Sequence, residues 1–408
     1  MKNDLEGAST EVTATQACGG IVCFAGVDWW YHNRGHSECQ IMTRLARRLP
    51  VLWVNSIGMR MPRPGSTQLP LRRYVRKLKS TFKGLRRDPS GLWVYSPIFI
   101  PSYSPGVLAL NAILLNAQVA VICRHLKIRN PSAWITLPTA GPALRRGHWV
   151  RTVFNRSDAF SAFPEVDSKA IEKLEERLIT EADEVIYVSR DLYEAERGKA
   201  KSAHLLDHGV DYEHFSQFSL REEIPYPPKQ LNDLPRPIVG FYGALDSYTI
   251  DLELMIQVAR QIRPGTLLVI GPEAMDLSRL LREPNVSYLG PVPYSELPRF
   301  AAHFDIGIMP WLKNDWIERC NPIKLKEYLA LGFPVVTTRF PELRRHENAV
   351  YAADSHEEFL DAIDHALKET DPAKPQMRRE SVADSSWDML ADRVADLLGV
   401  ETRNGQLL

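Results

Sequence analysis

The stretch "NPIKLKEYLALGFPVVTT", Asn321 to Thr338, joins a short helical pattern to an apolar strand pattern. Asn321 is a good N-cap, Pro322 suits the first helical position, and Gly332 predicts the end of the helix. The apolar residues after Gly332 predict a strand buried in a parallel sheet. This order predicts that the helix begins at the carboxyl edge of the sheet.

The start of this helix predicts an anion site. The free N–H groups of Ile323, Lys324 and Leu325 point out of the first turn, where the helix dipole favours negative charge. Lys324 adds a full positive charge, so a phosphate or diphosphate is the expected ligand. Glu327 lies on the same face, about 4.5 Å further along the axis, where a carboxylate can accept hydrogen bonds from a ribose. The alternative is an ordinary Lys/Glu pair on a solvated face.

Strand and helix patterns alternate in both halves of the 408-residue chain, which is too long for one core. Residues 221–237 hold five prolines and predict an extended connector. We therefore predict an α/β protein with two doubly wound, Rossmann-like domains, at residues 1–220 and 238–383, facing each other across a cleft. A C-terminal helix and tail, residues 384–408, are expected to return to the first domain.

Composition excludes several classes of protein. Lys+Arg and Asp+Glu are equal at 50 each, so overall charge gives no argument for a nucleic-acid partner. The five cysteines form no CxxC or Cys/His cluster, so we expect neither a disulfide framework nor a metal site. The N-terminus does not fit a secretion signal, and the apolar segment from Val107 to Cys123 is interrupted by polar residues. We interpret that segment as an amphipathic or buried helix, with a membrane span as the alternative, in a cytoplasmic protein.

Several motifs in series carry a family resemblance. The chain resembles GT-B glycosyltransferases, especially bacterial enzymes of exopolysaccharide and teichuronic-acid-type synthesis. The segments that carry the resemblance are the quoted helix with the "PEL" after it, "VFNRSDAFSAFPE", "EADEVIYVSRDLYE", "HGVDYEHF" and "FYGALDSYTIDLELM". The resemblance spans roughly Ile21 to Leu398. It implies a GT-B fold and transfer of a sugar from a nucleotide-sugar, with UDP favoured as the nucleotide, and no further cofactor.

The resemblance also implies a donor site in the second domain. Lys324 would bind the diphosphate with help from the backbone at Pro322 and Ile323, and Glu327 would hold the ribose hydroxyls. Gly243 would let the first loop of the domain approach the phosphates, although a plain turn glycine is the alternative. The backbone of Val292 matches the place where the base docks.

Asp158 is the predicted general base. It follows the strand pattern "RTVFNRS" at the cleft, where a carboxylate can accept a proton from an acceptor hydroxyl. In the xanthan glucuronosyltransferase, which this segment resembles, the matching aspartate is the proposed base of an inverting displacement. The alternative roles for Asp158 are a helix N-cap or a partner for Arg156.

Other candidates for the acceptor side of the cleft are less specific. They are Asp28, His32, Asn33 and Arg34 in "DWWYHNRGH", together with Arg156 and His208, the last of which could equally shape a turn near the domain interface. Many retaining GT-B enzymes carry two glutamates eight positions apart. Here the earlier position is Arg319, with Glu318 displaced by one residue, so the anomeric outcome stays open and inversion is favoured.

Residues 60–87 contain ten Lys/Arg and no acid. Leu71, Tyr74, Val75, Leu78 and Phe82 are spaced to form one apolar helical stripe. A basic amphipathic helix of this kind predicts peripheral contact with an anionic membrane, here the inner face of the plasma membrane, where a lipid-linked acceptor would lie. The alternatives are a solvated helix and a nucleic-acid patch, although no aromatic platform or recognised nucleic-acid-binding motif is evident.

Two other functions fit parts of this pattern. A GT-B nucleotide-sugar epimerase would share the donor helix and need no acceptor, and a non-catalytic partner protein at the membrane surface would share the basic helix. A nicotinamide dehydrogenase is disfavoured, because no GxGxxG follows a predicted strand.

Overall fold

The computed structural model describes residues 17–32, 34–58, 70–100, 102, 104–163, 166–218 and 228–400, with the backbone alone for 70–74. The predictions for Asn33, for the first part of the basic stretch (60–69), for the first part of the proline-rich connector (221–227) and for the C-terminal tail (401–408) lie outside the described residues.

The first domain is built on an eight-stranded sheet. Its strands are β1 (Gly20–Phe24), β2 (Val51–Val54), β3 (Arg86–Arg87), β4 (Trp93–Tyr95), β5 (Pro131–Ile135), β6 (Thr152–Arg156), β7 (Glu184–Tyr187) and β8 (Ala203–Leu205). Their order is β3-β4-β2-β1-β5-β6-β7-β8, and every pair is parallel except β3 with β4. The chain leaves β1 toward β2 on one side and returns to β5 on the other. The carboxyl ends of β1 and β5 therefore form a topological switch point, the usual place for a binding crevice.

Helices connect these strands. They are α1 (Ser37–Leu45), α2 (Pro70–Phe82), α3 (Pro105–His125), α4 (Ser168–Glu181), α5 (Arg190–Glu196) and α6 (Tyr212–Ser216). One face of the sheet is covered by α3 and α4, and the other face packs against α1. The last helix, α6, buries its Phe215 in the core of the second domain.

The second domain has a six-stranded, fully parallel sheet. Its strands are β9 (Ile238–Tyr242), β10 (Thr266–Ile270), β11 (Val286–Tyr288), β12 (Ile306–Met309), β13 (Val335–Thr338) and β14 (Tyr351–Ala353). Their order, β11-β10-β9-β12-β13-β14, is the dinucleotide-fold order 3-2-1-4-5-6. The switch point lies between β9 and β12. The helices are α7 (Leu252–Gln261), α8 (Leu297–Ala301), α9 (Ile323–Leu331), α10 (His356–Leu367), α11 (Ala373–Ala383) and α12 (Trp387–Leu397).

The last helix, α12, crosses back to the first domain, as the sequence predicted. Trp387 is fully buried in the first domain's core, and Ser132 Oγ donates a hydrogen bond to the Leu398 carbonyl at 2.7 Å. Arg44 of α1 pairs with Asp388 at 3.0 Å. Two doubly wound domains are thus joined by two chain crossings, the second of which is α12.

The start of α9 lies against the first domain. The predicted N-cap is wrong by one residue: Pro322 occupies the N-cap position, and α9 begins at Ile323. The Asn321 amide instead donates across the interface to the Val188 carbonyl (2.8 Å) and to Asp207 (2.7 Å). These bonds hold the Asn321 side chain against the first domain, and α9 has no side-chain cap hydrogen bond at its N-cap position. Gly332 ends α9 in the left-handed conformation with φ 87°, as predicted.

Asp207 is the centre of this interface. Lys326, which is fully buried on α9, pairs with Asp207 at 2.9 Å and donates to the His208 carbonyl, while Arg345 reaches the other Asp207 oxygen at 2.7 Å. Burial opposes the charge, but the two cations outweigh it and lower the pKa of Asp207 to about 2. These charges fix the position of α9 against the first domain.

Candidate active site

The phosphate-binding prediction falls at the switch point of the second sheet. The chain leaves β9 at Gly243, and α9 follows the neighbouring strand β12. The Leu325 N–H already bonds the Pro322 carbonyl at 3.3 Å. The first turn therefore offers the N–H groups of Ile323 and Lys324, a smaller set than the sequence predicted.

Lys324 lies directly over the end of β9. Its ammonium is 4.2 Å from the centre of the Phe241 ring, and a Cβ placed on Gly243 would lie 2.4 Å from Nζ. Burial lowers the pKa of Lys324 to about 8, against the opposing effect of Glu327 and Asp246. At neutral pH the group is a desolvated cation beside a glycine backbone, which is the chemistry that a diphosphate requires.

Gly243→Ala tests this close approach. We expect the UDP affinity to fall by about tenfold or more, because the new methyl group displaces the Lys324 ammonium and φ of 145° disfavours any side chain. Calorimetric titration with UDP measures the affinity. Gly58→Ala is the matched control, since Gly58 also has positive φ (82°) but no atom within 4 Å of its Cβ position. Equal UDP affinity in wild type and Gly243→Ala would contradict the assignment.

Glu327 is buried three residues after Lys324 and accepts a hydrogen bond from the Tyr242 hydroxyl at 2.8 Å. Burial raises the pKa of Glu327 to about 7, against the lowering by Tyr242, Tyr294 and Lys324. Sequence reasoning missed Tyr242. The available signal was its aromatic side chain directly before Gly243, the glycine that follows the strand. Val292 lies half-buried in the loop after β11, at the same edge of the sheet.

Asp158 lies two residues after β6, half-buried at the carboxyl edge of the first sheet. Burial raises the pKa of Asp158 to about 7, although the Ser157 hydroxyl, at 3.2 Å, and Arg156 lower it. A carboxyl group with this pKa is matched to general-base work near neutral pH. The structure gives Asp158 no role as a helix N-cap, since α4 begins at Ser168 with Asp167 as its cap.

The loop that follows Asp158 contacts the second domain in the segment that precedes α9. The Phe163 ring, five residues after Asp158, lies 6.0 Å from the Trp316 ring, which comes directly before the 3₁₀ turn Ile317–Arg319. The predicted base and the predicted phosphate site therefore lie on segments that lead to and from this contact.

Arg156 is part of a buried ion-pair network. Its guanidinium pairs with Glu175 and, at 3.0 Å, with Glu196, and it donates to the backbone carbonyl of Asp158. Its donors are used in positioning the loop that carries Asp158. This contact set favours a positioning role over direct binding of an acceptor.

Arg156→Met is expected to lower the free energy of unfolding by about 3–5 kcal/mol, since it leaves the buried Glu175 carboxylate unpaired. Urea unfolding at pH 7 measures the change. Arg145→Met removes a solvent-exposed partner of Glu181 and should cost about 1 kcal/mol or less. Equal losses in the two variants would show that the Arg156 network contributes no more than a surface pair.

The other acceptor candidates lie in the loop after β1 and at the interface. Asp28 accepts from Ser80 Oγ of α2 at 2.8 Å, His32 Nδ1 lies 3.1 Å from the Asp28 carbonyl, and Arg34 stacks on the Trp29 ring at 3.6 Å. The His208 ring packs against Trp387, 6.3 Å between ring centres. The contacts of His208 fit the alternative of shaping the interface turn.

Glu38 is a further polar residue at the first switch point that sequence reasoning missed. It is buried on α1 and accepts from the N–H groups of Gly26 (2.9 Å) and Val27 (3.1 Å) and from the Thr136 hydroxyl (2.7 Å). Burial raises the pKa of Glu38 to about 7. The carboxyl group ties the ends of β1 and β5 together. A single acid on an otherwise apolar helix face was the available signal.

Arg319 occupies the position where retaining relatives carry a glutamate. It is exposed in a single 3₁₀ turn before α9, with Nε 3.8 Å from an oxygen of Asp191 in the first domain. Glu318, beside it, is also exposed. In place of a carboxylate that would pair with Glu327, this chain has a cation, Arg319, that faces the first domain.

The architecture matches solved structures over nearly the whole chain. Sucrose-phosphate synthase from Thermosynechococcus elongatus has a TM-score of 0.66 at 15% identity, covering 93% of this chain and 98% of that one. The α,α-trehalose-phosphate synthase (UDP-forming) from Burkholderia vietnamiensis has 0.63 at 15% identity, covering 94% and 98%. Anabaena HepE, solved with UDP and glucose, has 0.63 at 13% identity, covering 93% and 99%. These likenesses establish the GT-B fold.

Part of the chain is also similar in sequence to known glycosyltransferases. Residues 236–369 match the model described as "Glycosyl transferases group 1". A Bacillus subtilis (strain 168) protein named "Putative teichuronic acid biosynthesis glycosyltransferase TuaH" is 27% identical over 266 residues, which span 62% of this chain and 65% of that relative. The chain therefore has the GT-B fold that the sequence motifs predicted, and its second domain matches a glycosyltransferase model.

Proposed function

We propose that the protein transfers a sugar from a nucleotide-sugar, with UDP as the nucleotide, to a hydroxyl group of a lipid-linked or polysaccharide acceptor. The observation that carries the proposal is the buried Lys324 ammonium at the start of α9, which lies against Gly243 at the switch point of the second sheet. Asp158 lies at the carboxyl edge of the first sheet, and the loop after it contacts the second domain through Phe163 and Trp316.

In the donor half of the site, Lys324 and the free N–H groups of the first turn of α9 hold the diphosphate. The absence of a side chain at Gly243 lets the donor reach them, and Glu327 accepts hydrogen bonds from the ribose. The loop at Val292 docks the base. Negative charge that develops on the departing diphosphate is stabilised by these protein groups, without a metal ion.

In the acceptor half, Asp158 accepts the proton of the acceptor hydroxyl. The acceptor oxygen forms a bond to the anomeric carbon, while the bond from that carbon to the diphosphate oxygen breaks and the nucleoside diphosphate leaves. Attack from the face opposite the leaving group inverts the anomeric centre. Arg319 in place of a second glutamate is consistent with this direct displacement.

Two observations outside the site support the choice of substrates. HepE, which shares the fold, was solved with UDP and glucose, and the Bacillus subtilis relative is named for teichuronic acid biosynthesis. In the first domain, α2 carries Arg76 and Lys79, is followed by Lys83, and exposes Leu78 and Phe82, which fits peripheral binding to an anionic membrane surface. The protein would therefore act in the cytoplasm on an acceptor held at the inner leaflet.

The first experiment is calorimetric titration of the full chain with UDP, GDP and dTDP, followed by turnover of the matching nucleotide-sugars with and without a lipid-linked acceptor. We expect UDP to bind most tightly and sugar transfer to require the acceptor. Conversion of the nucleotide-sugar without any acceptor would instead identify an epimerase. Binding of no nucleotide would overturn the donor site.

A further inference from the structure

Between Ala109 and Val121, the long helix α3 has an exposed face made only of apolar residues, and exposed Arg124 follows in its last turn. Leu115, Val119 and Ile122 pack into the first domain's core on its inner side. On its outer side the exposed residues recur at helical spacing: Ala109, Leu110, Ile113, Leu114, Ala117, Ala120 and Val121. Val121 is 63% exposed. Within the described part of the chain, α3 is the one helix long and apolar enough to cross a membrane, but its inner face is held in a protein core.

The apolar surface continues onto the segment that precedes α3. Gln118 bonds both the N–H and the carbonyl of Ile98 (2.9 and 3.0 Å), and Asn111 does the same for Ile100 (2.8 and 2.7 Å). These side-chain hydrogen bonds pair the backbone N–H and carbonyl groups of Ile98 and Ile100. The Ile98 side chain remains 65% exposed. Two of the polar residues that interrupt α3 in the sequence, Asn111 and Gln118, thus attach the segment before α3 to the helix.

The same surface borders the basic helix α2. Lys77 of α2 lies 5.3 Å from the centre of the Phe99 ring, and Phe82 at the end of α2 is 86% exposed. Exposed cations border the apolar face: Arg76 and Lys79 lie on α2, and Arg124 lies in the last turn of α3. An exposed apolar face bordered by cations fits a partner that is both apolar and anionic.

We propose that the exposed face of α3, with Ile98, Ile100, Leu78 and Phe82, inserts into the headgroup and upper acyl region of an anionic phospholipid bilayer. The helix lies in the plane of the membrane, because its inner face stays in the protein core. Cations of α2 contact the lipid headgroups beside it. This inference rests on the membrane-bound acceptor of the proposed function and adds an apolar contact that salt does not screen.

The insertion surface is connected to the acceptor side of the cleft. Ser80 of α2 donates to Asp28 in the loop after β1, and Lys83 lies 4.2 Å from the centre of the Trp30 ring in that loop. Aromatic side chains next to cations are typical of membrane–water interfaces. A bilayer seated on α2 and α3 would bring a lipid-linked acceptor to the carboxyl edge of the first sheet, where Asp158 lies.

The test compares the wild-type chain with the variant Leu110→Gln/Ile113→Gln/Val121→Gln in sedimentation with phosphatidylglycerol/phosphatidylcholine vesicles. We expect the wild type to keep part of its binding when NaCl rises from about 0.1 to about 0.5 M, because insertion is not screened. We expect the variant to bind about tenfold more weakly at low salt and to lose the remainder at high salt. The substituted side chains face solvent, and glutamine is a good helix former, so folding is preserved.

The matched control is Leu281→Gln/Leu367→Gln/Met389→Gln, which removes exposed apolar side chains from the second domain and α12 and should bind vesicles like the wild type. Vesicle binding by the α3 variant equal to that of the wild type would overturn the proposal. So would a wild-type dimer that becomes monomeric in the variant with no change in vesicle binding, since the face would then bind a second copy. UDP titration of the α3 variant tests the donor site separately from membrane insertion. If both UDP binding and vesicle binding equal those of the wild type, insertion is refuted and the proposed function is not.

Discussion

Lys324→Ala is expected to lower kcat/KM for the nucleotide-sugar by about 10²–10³-fold, which is the usual loss when one preorganised charge on a leaving group is removed. The ammonium lies over the Phe241 ring beside Gly243, where the diphosphate is placed. Because this charge contacts the diphosphate before and during departure, both the affinity for UDP and the rate of transfer should fall.

Calorimetry with UDP and turnover at saturating acceptor measure the two effects of Lys324→Ala. The control is Lys313→Ala, which removes an exposed lysine of the same domain that pairs with Asp354 and should change neither quantity. Burial lowers the pKa of Lys324 to about 8, so the affinity of the wild type for UDP should decrease as pH rises through that value and the cation is lost. Wild-type turnover and UDP affinity in Lys324→Ala would refute the donor site.

Asp158→Asn is expected to lower kcat by about 10²–10⁴-fold while the affinity for UDP stays within about twofold of wild type. The substitution preserves the shape of the side chain and its contact with the Ser157 hydroxyl, but it removes the group that accepts the proton. Loss of UDP binding to the same degree as turnover would indicate a structural role instead. Asp167→Asn is the control, since asparagine caps α4 as well as aspartate does.

The pH profile gives a second test of Asp158. A base must be ionised to act, and burial raises the pKa of Asp158 to about 7, so kcat/KM should fall as pH decreases through about 7. Deprotonation of Lys324 should lower it again above about 8. Burial also raises the pKa of Glu327 to about 7, so the wild-type profile cannot by itself tell the two carboxyl groups apart. If Asp158 is the base, the residual kcat/KM of Asp158→Asn should lose most of its decrease at acidic pH. An unchanged acidic limb in that variant would assign it to another group.

Lys324→Ala and Asp158→Asn test the donor role of the second domain and the acceptor role of the first domain separately. Lys324 belongs to the second sheet's switch point and Asp158 to the edge of the first sheet. The Asp207, Lys326 and Arg345 network holds both in one arrangement.

Much of this architecture was predictable because it depends on local patterns. Apolar strand runs, the Lys324/Glu327 spacing and the terminating Gly332 are properties of a few neighbouring residues, and the structure has the strands and α9 as the sequence indicated. The N-cap of α9 was predicted wrongly, because the Asn321 amide bonds Val188 and Asp207, which are more than 100 residues away in the chain. Glu38 and Tyr242 were missed although each carried a local signal, because their partners, among them Thr136 and Glu327, lie on other elements of the chain.

The sequence by itself determined the two doubly wound domains and the position of α9 after β12, while the phosphate site at Lys324 and the base at Asp158 stay predictions. Only the tertiary structure decided that Arg156 supports the Asp158 loop through buried ion pairs, and that one face of α3 is left apolar and exposed. Periodicity and spacing report on neighbours along the chain. Ion-pair partners and solvent exposure are set by segments that meet only when the sheets close, so no local pattern contains them.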